Sequence, residues 1–476
     1  MLTDEDLAGK RAVVMGLGRF GGQMGAIRYL ANLGCELLVT DVADGASLAP
    51  SVDAIRDLLD AGRVELRLGG HNVSDFTACD VVVVSPAVPR PWENRFLRAA
   101  QAAGVPLTTE IRMVVERLPN RERTIGVTGT AGKSTTTAMI AHALRGCADH
   151  DGPRVWMGGN IGGSLLEVIG EIGEEDYVVL ELSSAQLYWL DVYAGQEGDA
   201  GWSPWVAVVT NFSVNHLDWH GSEEHYRSSK AGIAKRAGGG VAVVGDDSGM
   251  GLVDGAAWRV RRGADAMQVV KQSDLRLSVV GKHNVENACL AAVAADQALG
   301  GGRVGECLAA LEDFGGLPHR LQRVDVGEGA RFAVFDDSKC TTPEAARLAI
   351  EAFDDQGVAG RGCVHLICGG YDKGVALTEM VEAAAGCAGV YTIGATGKAI
   401  AAAVRDRAGA AEYCGTMERG VDRAVREIRS RGEEGRVLLL SPGCASWDQF
   451  ANYEERGERF VELVRSAVAF GCGSSG

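Results

Sequence analysis

The chain has 476 residues, of which 65 are glycine, about twice the usual ~7%. With no Gly-x-y period and with 46% hydrophobic residues, collagen and disorder are both excluded. The 63 acidic against 47 basic residues leave a formal net charge of −16, which argues against nucleic acid and against an anionic membrane surface as partners. Any anionic ligand must then be held by local devices: glycine turns, helix N-termini and single lysines. At about 100–200 residues per domain, the length points to three domains and leaves two or four open. The acidic start MLTDEDLAGKRAVVMG lacks the apolar core of a signal peptide, and no run reaches 18 apolar residues. Twelve cysteines without a CxxC read as buried, reduced thiols, and a cytoplasmic location is expected.

Along the chain a short apolar strand, a glycine or Ser/Thr turn and a helical pattern recur, the signature of parallel sheets covered by helices. The first series predicts strands at Arg11–Met15, Glu36–Thr40 and Asp80–Val84, with a helix to about Leu33. A second begins at Thr124–Thr128, continues through a helix to about Leu144, and adds strands at Tyr177–Leu180, Val206–Thr210 and Val241–Val244 and an Ala-rich helix near Glu286–Leu299. A third follows Gly315-Gly316-Leu317-Pro318, with strands at Phe332–Phe335, Val364–Cys368, Val390–Ile393 and Val437–Leu440 and a helix capped near Thr342-Pro343. The expected fold is α/β in three consecutive domains: a Rossmann-like unit at 1–120, a central P-loop ATPase-type domain at 121–316 and a Rossmann-like C-terminal domain at 317–476. In open sheets of this kind, ligands bind beyond the strands' C-terminal ends.

Two glycine turns carry chemistry. Gly16-x-Gly18-x-x-Gly21 lies between a strand and a helix, with Asp41 closing the next strand. Read alone it is a dinucleotide turn with an acid for a ribose, which leaves an NAD-dependent oxidoreductase open as a reading of a different class. Gly129-Thr130-Ala131-Gly132-Lys133-Ser134-Thr135 is a shortened phosphate loop, because Val127 stands where the full Walker pattern has its first glycine. Backbone amides and the helix N-terminus cradle phosphates, Lys133 reaches the terminal oxygens, and Ser134 offers a hydroxyl to Mg²⁺. Glu181, at the end of a strand, is placed to hold that cation, and His216 and Asp218 follow the next strand.

Gly-Thr-Ala-Gly-Lys-Ser-Thr, Asn160-Ile-Gly, Glu181-Leu-Ser183-Ser and Asn211-x-x-x-Asn-His216-x-Asp218 are followed by Tyr226-Arg-Ser-Ser-Lys230 and His283-Asn284-x-x-Asn287. Leu-Pro-His319-Arg320, Asp337-Ser338-Lys339 and Ser441-Pro-Gly-Cys-Ala-Ser446 complete the series, which over nearly the whole chain resembles the ATP-dependent Mur ligases of peptidoglycan synthesis. The stretch Ser446-Trp447-Asp448-Gln449-Phe450-x-x-Tyr453-Glu-x-Arg456-Gly457 resembles most the branch that joins glutamate to UDP-N-acetylmuramoyl-L-alanine.

The resemblance implies two small-molecule substrates beside ATP, two Mg²⁺ sites and a monomer. It assigns the first glycine turn to a uridine diphosphate rather than NAD, with Gly16, Gly18, Arg19, Asp41 and Ser85 as contacts and Asn160 and Ser183 nearer the reacting end. Gly129, Thr130, Gly132, Lys133, Ser134, Thr135, Asn287, Arg320 and Asp337 fall to ATP. Ser134, Glu181 and His216 fall to metal, joined by Lys230 if it is carbamylated, which would turn a cation into an anionic ligand. Lys133, Glu181, His216 and Lys230 would then be the catalytic set, and His319, Lys339, Thr341, Lys373, Ser446 and Tyr453 would bind substrate, glutamate above all. Ala131, Asn215, Trp447 and Tyr453 depart from the family's usual Asn, acid, Leu and Phe.

Overall fold

The computed structural model describes residues 2–470 apart from 19–22, 149–151, 193–200, 236–239, 254–258, 273–276, 278–280, 328 and 355–359. Its strands in chain order are β1 Arg11–Met15, β2 Glu36–Asp41, β3 Val64–Leu68, β4 Val81–Val84 and β5 Leu107–Thr108; β6 Thr124–Thr128, β7 Val155–Gly159, β8 Tyr177–Glu181, β9 Val206–Val209, β10 Val241–Val244 and β11 Arg259–Arg262; and β12 Gln322–Arg323, β13 Ala333–Asp336, β14 Val364–Cys368, β15 Gly389–Ile393, β16 Ala411–Gly415 and β17 Val437–Leu440. They form three sheets, ordered β3-β2-β1-β4-β5, β11-β10-β9-β6-β8-β7 and β12-β13-β17-β14-β15-β16. Every pairing is parallel except β12 against β13.

The strands legible in the sequence are the interior ones. A parallel strand covered on both faces reads as an unbroken apolar run, and Val81–Val84, Val206–Val209 and Val437–Leu440 are buried at every position. The six strands without such a run, β3, β5, β7, β11, β12 and β16, are the six sheet edges. β11 is Arg-Val-Arg-Arg and exposed throughout, and β16 carries Glu412 and Tyr413 outward. Charged, short edges of this kind resist pairing with other chains. The expected helices begin where their caps lie: Thr342 accepts the Ala345 amide ahead of Pro343, at the start of Pro343–Glu351. The Ala-rich helix is longer at its start than the apolar pattern indicated, running Lys282–Ala298.

The chain divides into two compact units, Met1–Asp274 with Asn287–Ala310, and Leu275–Glu286 with Leu311–Gly476. The first holds two sheets, and the second holds the third. Within the first, Ser164 donates to Glu110 at 2.5 Å and Trp219 Nε1 donates to the Pro86 carbonyl at 3.0 Å, tying the layers of the two sheets together. Among the described residues no helix is long and apolar enough to cross a membrane.

In the second unit the long helix Tyr453–Phe470 is anchored by Arg456, which is 1% exposed. Its guanidinium donates to Ser338 Oγ (3.0 Å), the Ser338 carbonyl (2.7 Å) and the Cys444 carbonyl (3.0 Å), so one side chain ties the turn after β13 to the loop after β17. Burial lowers its pKa to about 10, which leaves it charged at neutral pH. In Arg456→Met, of similar length, three buried acceptors lose their donor. We expect a loss of about 2–4 kcal/mol in the second unit, read as a lower urea midpoint; an unchanged midpoint would contradict the anchoring role.

Candidate active site

The turn after β6 is built so that its carbonyls face inward and its helix amides face outward. Gly129 (φ 146°) and Gly132 (φ 78°) hold conformations that side chains rarely adopt, and a Cβ on either would collide, with Thr210 Oγ1 and with Asn287 Oδ1 respectively. Three successive carbonyls then meet donors. Lys230 Nζ reaches Gly129 O at 2.6 Å, Lys133 Nζ reaches Thr130 O at 3.0 Å, and Thr210 Oγ1 reaches Ala131 O at 2.6 Å, joined by Asn211 Nδ2 at 3.2 Å. The Thr130 and Ala131 amides are taken by Asn211, through its carbonyl O and its Oδ1. The amides left to an anion belong to the first turn of the helix Lys133–Cys147, where intrahelical partners are lacking and the dipole is positive. Ser134 and Thr135 lie on that turn.

Beside it, Glu181 ends β8 and is 1% exposed. Asn160 Nδ2 donates to its Oε1 at 3.0 Å, and the Asn160 amide donates to the Glu181 carbonyl at 2.8 Å. Glu181 Oε2 is buried with no hydrogen-bond partner. A carboxylate oxygen left so is costly unless a cation or donor meets it. Lys230, on the helix Glu223–Ala231, is 2% exposed. Burial, and then the charge of Lys133, hold its pKa down to about 7 against the opposing pull of Glu181. An amine with that pKa is substantially neutral near pH 7 and therefore nucleophilic.

His216 caps the short helix Leu217–His220 in a left-handed conformation (φ 52°). Such strain in a non-glycine residue gathers at functional sites. Burial and Lys230 lower its pKa, which favours the neutral, metal-binding imidazole. Its ring centroid lies 6.2 Å from that of Tyr226, whose hydroxyl is 3.1 Å from Thr130 Oγ1. Lys133, Ser134, Asn160, Glu181, His216 and Lys230 thus surround one turn. Ser183 instead turns to Gln186, its amide and hydroxyl both meeting Oε1. The sequence gives no role to Thr210, Asn211 or Tyr226, although Asn211 and Tyr226 both lie inside motifs quoted above.

Among the described residues no three His, Cys, Asp or Glu side chains come together as a metal cluster. One carboxylate and one hydroxyl suit Mg²⁺, which keeps waters and takes much of its shell from substrate phosphates. The orphaned Glu181 oxygen fits that ion.

At the first sheet, Gly16 and Gly18 turn with φ 93° and 74°. Asp41, 8% exposed, accepts the Gly18 amide on Oδ2 (3.1 Å) and the Ala43 amide on Oδ1 (2.9 Å). One oxygen holds the glycine turn and the other the start of the loop after β2, so Asp41 is a scaffold for the two loops before it is a ligand contact. The Ser85 amide donates to the Met15 carbonyl, and the Ser85 side chain lies against Gly16. Arg19 and Gly21 lie outside the described residues.

In the second unit Asp337, after β13, accepts from Leu321 N (3.0 Å) and Ser441 Oγ (2.8 Å), and burial raises its pKa to about 7. His319, left-handed at φ 60°, is paired with Asp336 at 2.7 Å, which raises its pKa. Lys339 Nζ sits 5.0 Å above the Tyr453 ring, which His319 meets edge-on. Lys373 Nζ lies 5.4 Å from the ring of Trp447, which is 59% exposed and follows the buried Ser446. The predicted residues therefore gather in two groups, Lys339 with Tyr453 and His319, and Lys373 with Trp447 and Ser446. Thr341 is half-buried and Arg320 exposed. Asn287 belongs to the first unit, where its Oδ1 accepts from Thr136 at 3.4 Å.

Three family descriptions match the chain: Mur ligase MurD-like, N-terminal domain at residues 10–109, Mur ligase middle domain at 127–254, and Mur ligase, glutamate ligase domain at 319–444. The chain is 34% identical to the UDP-N-acetylmuramoylalanine–D-glutamate ligase of Roseiflexus sp. (strain RS-1), over 97% of this chain and 99% of that one. It is 35% identical to the ligase of the same name from Myxococcus xanthus (strain DK1622), with the same two coverages. The crystal structure of UDP-N-acetylmuramate–alanine ligase from Thermotoga maritima shares the fold, with a TM-score of 0.56 at 21% identity over 96% of this chain and all of that one.

The buried Lys230 gives a pH signature. Between pH 7 and its ordinary value of 10.5 the unfolded chain holds a proton on this amine that the folded chain does not. Burial therefore costs stability below pH 7, and the cost is relieved as pH rises toward 10.5. In CO₂-free buffer, the stability of the native chain minus that of Lys230→Met is expected to grow from about pH 7 to about pH 10; a flat difference in urea midpoints would contradict a buried amine.

Proposed function

The chain belongs to the Mur ligase family, and from that premise we propose that it is the ATP-dependent ligase that adds D-glutamate to UDP-N-acetylmuramoyl-L-alanine in peptidoglycan precursor synthesis. The observation that carries the reading is the pair of buried side chains Glu181 and Lys230, with Asn160 and Lys133 beside them, around the helix N-terminus that follows the glycine turn. An oxidoreductase built on Gly16 and Asp41 would leave that constellation without a use, and Asp41 is already committed to backbone amides.

A carboxylate is a poor electrophile, so the alanyl carboxylate first takes the γ-phosphoryl group of ATP to become an acyl phosphate. The amine of glutamate then attacks the acyl carbon, and phosphate leaves. Negative charge gathers on oxygen in both steps, so fixed cations and amides contribute most. Lys133 leaves the Thr130 carbonyl for the ATP phosphates, which the first-turn amides also receive. Mg²⁺, when bound, supplies Lewis-acid stabilisation of the phosphoryl oxygens; Ser134 and Glu181 would hold one ion, and His216 with a carbamylated Lys230 a second. The pKa near 7 supports carbamylation, because the free amine attacks CO₂ and releases a proton, and the resulting carbamate would offer anionic oxygens to a cation. Gly16, Gly18 and Ser85 would receive the uridine diphosphate, with Asp41 shaping their turn.

Asn287, Arg320 and Asp337 would contact the remainder of ATP. His319 would join the nucleotide contacts, and Lys339, Lys373, Ser446, Thr341 and Tyr453 would receive glutamate, its two carboxylates countered by the two lysines. The enzyme would work as a cytoplasmic monomer. Mass analysis of product formed from UDP-N-acetylmuramoyl-L-alanine and ATP is expected to show turnover with D-glutamate and at most traces with L-glutamate; the reverse would reassign the amino acid, and turnover with neither would remove the reading. In a Lys230→Ala variant, activity should fall by orders of magnitude and recover in part with short carboxylic acids that replace the carbamate. An absence of recovery at any concentration counts against carbamylation.

A further inference from the structure

Two thiols outside the site lie in contact. Cys147 is the last residue of the phosphate-loop helix, and Cys307 lies in the helix Val304–Ala309; their sulfurs are 3.7 Å apart although 160 residues separate them. The helices come this close because residue 146 is glycine: a Cβ there would sit 2.7 Å from that of Ala310. Cys147 is half-buried, and Cys307 has no exposed surface. Arg303 donates to the Cys147 carbonyl at 3.2 Å, and its guanidinium interacts electrostatically with both thiols. A disulfide needs the sulfurs at about 2.0 Å, so they must approach by roughly 1.7 Å.

We infer that Cys147 and Cys307 form an oxidative modification site, at which a low-molecular-weight disulfide converts the thiol pair into a bond between the phosphate-loop helix and the segment 287–310. The more accessible Cys147 reacts first. It loses its proton, and its thiolate attacks one sulfur of the small disulfide, giving a mixed disulfide and releasing one small thiolate, which takes the proton. Cys307, whose thiol burial and the neighbouring Cys147 push well above its ordinary pKa, is slow toward the external reagent but adjacent to the mixed disulfide. It loses its proton, attacks Cys147 Sγ and expels the second small thiol. The protein pair gives up two electrons, and the small disulfide is reduced to two thiols. The bond fastens the far end of the helix that begins at Lys133 to the segment whose Asn287 lies against Gly132.

The test uses the reduced full chain incubated with glutathione disulfide, alkylated, digested without reductant and mapped by mass spectrometry. A peptide joining Cys147 to Cys307 is expected from the native chain. In Cys307→Ser a lasting glutathione adduct on Cys147 should replace it, and in Cys147→Ser Cys307 should be recovered as the alkylated thiol. The native chain decides the question even if a variant fails to fold. A lasting glutathione adduct on native Cys147 without the linked peptide, or recovery of both native thiols alkylated, would overturn the inference.

Discussion

A buried lysine amine and a buried carboxylate, Lys230 and Glu181, lie behind the turn after β6, and the shape of that turn depends on them. Lys230 draws the Gly129 carbonyl inward, which lets the following amides point away from the core. Glu181 is fixed by Asn160 through one oxygen and leaves the other facing no donor. Burying an amine and a carboxylate is expensive, and the depressed pKa of Lys230 reflects that cost. At the site proposed for phosphate and a divalent cation, that cost would become part of the binding energy of the ligand. The same logic explains how a chain of net charge −16 holds anions: positive potential comes from helix amides and single lysines rather than from overall composition.

Other features follow from that arrangement. Thr210 and Asn211, at the end of β9, hold the Ala131 carbonyl, so β9 must neighbour β6, as it does. Tyr226, one turn of helix ahead of Lys230, reaches Thr130, so the helix that carries the lysine also fixes the loop. His216 takes its left-handed conformation in the segment between them. The Ser85–Arg90 loop of the first sheet meets this segment through Pro86 and Arg90, which bond to Trp219, so the nucleotide turn and the phosphate loop share one compact unit.

Much of this was legible in the sequence, and for a physical reason. Interior parallel strands such as Val81–Val84 are apolar on both faces, and buried polar residues stand at or just past their C-terminal ends, as Glu181, Asp41 and Asp337 illustrate. Edge strands such as Arg259–Arg262 bury too little to leave a pattern. Within the site, residue type and spacing picked out Lys133, Ser134 and Glu181. Lys230 looked like any helical lysine until a resemblance singled it out, because burial is set by packing against Tyr226 and the Gly129 turn, which no local pattern encodes. Asp41 illustrates the opposite limit: its position is legible, but that one oxygen holds the glycine turn and the other the Ala43 amide is visible only in the structure.

The central claim is that the unpaired Glu181 oxygen is the protein's hold on the divalent cation that accompanies the nucleotide. Its most direct test is Mn²⁺ binding in the presence of ATP, followed by electron paramagnetic resonance, in the native chain and in Glu181→Gln. The account predicts protein-bound Mn²⁺ in the native chain and at least a tenfold weaker affinity, roughly 1.4 kcal/mol or more, in the variant. Equal affinity in the two would contradict it.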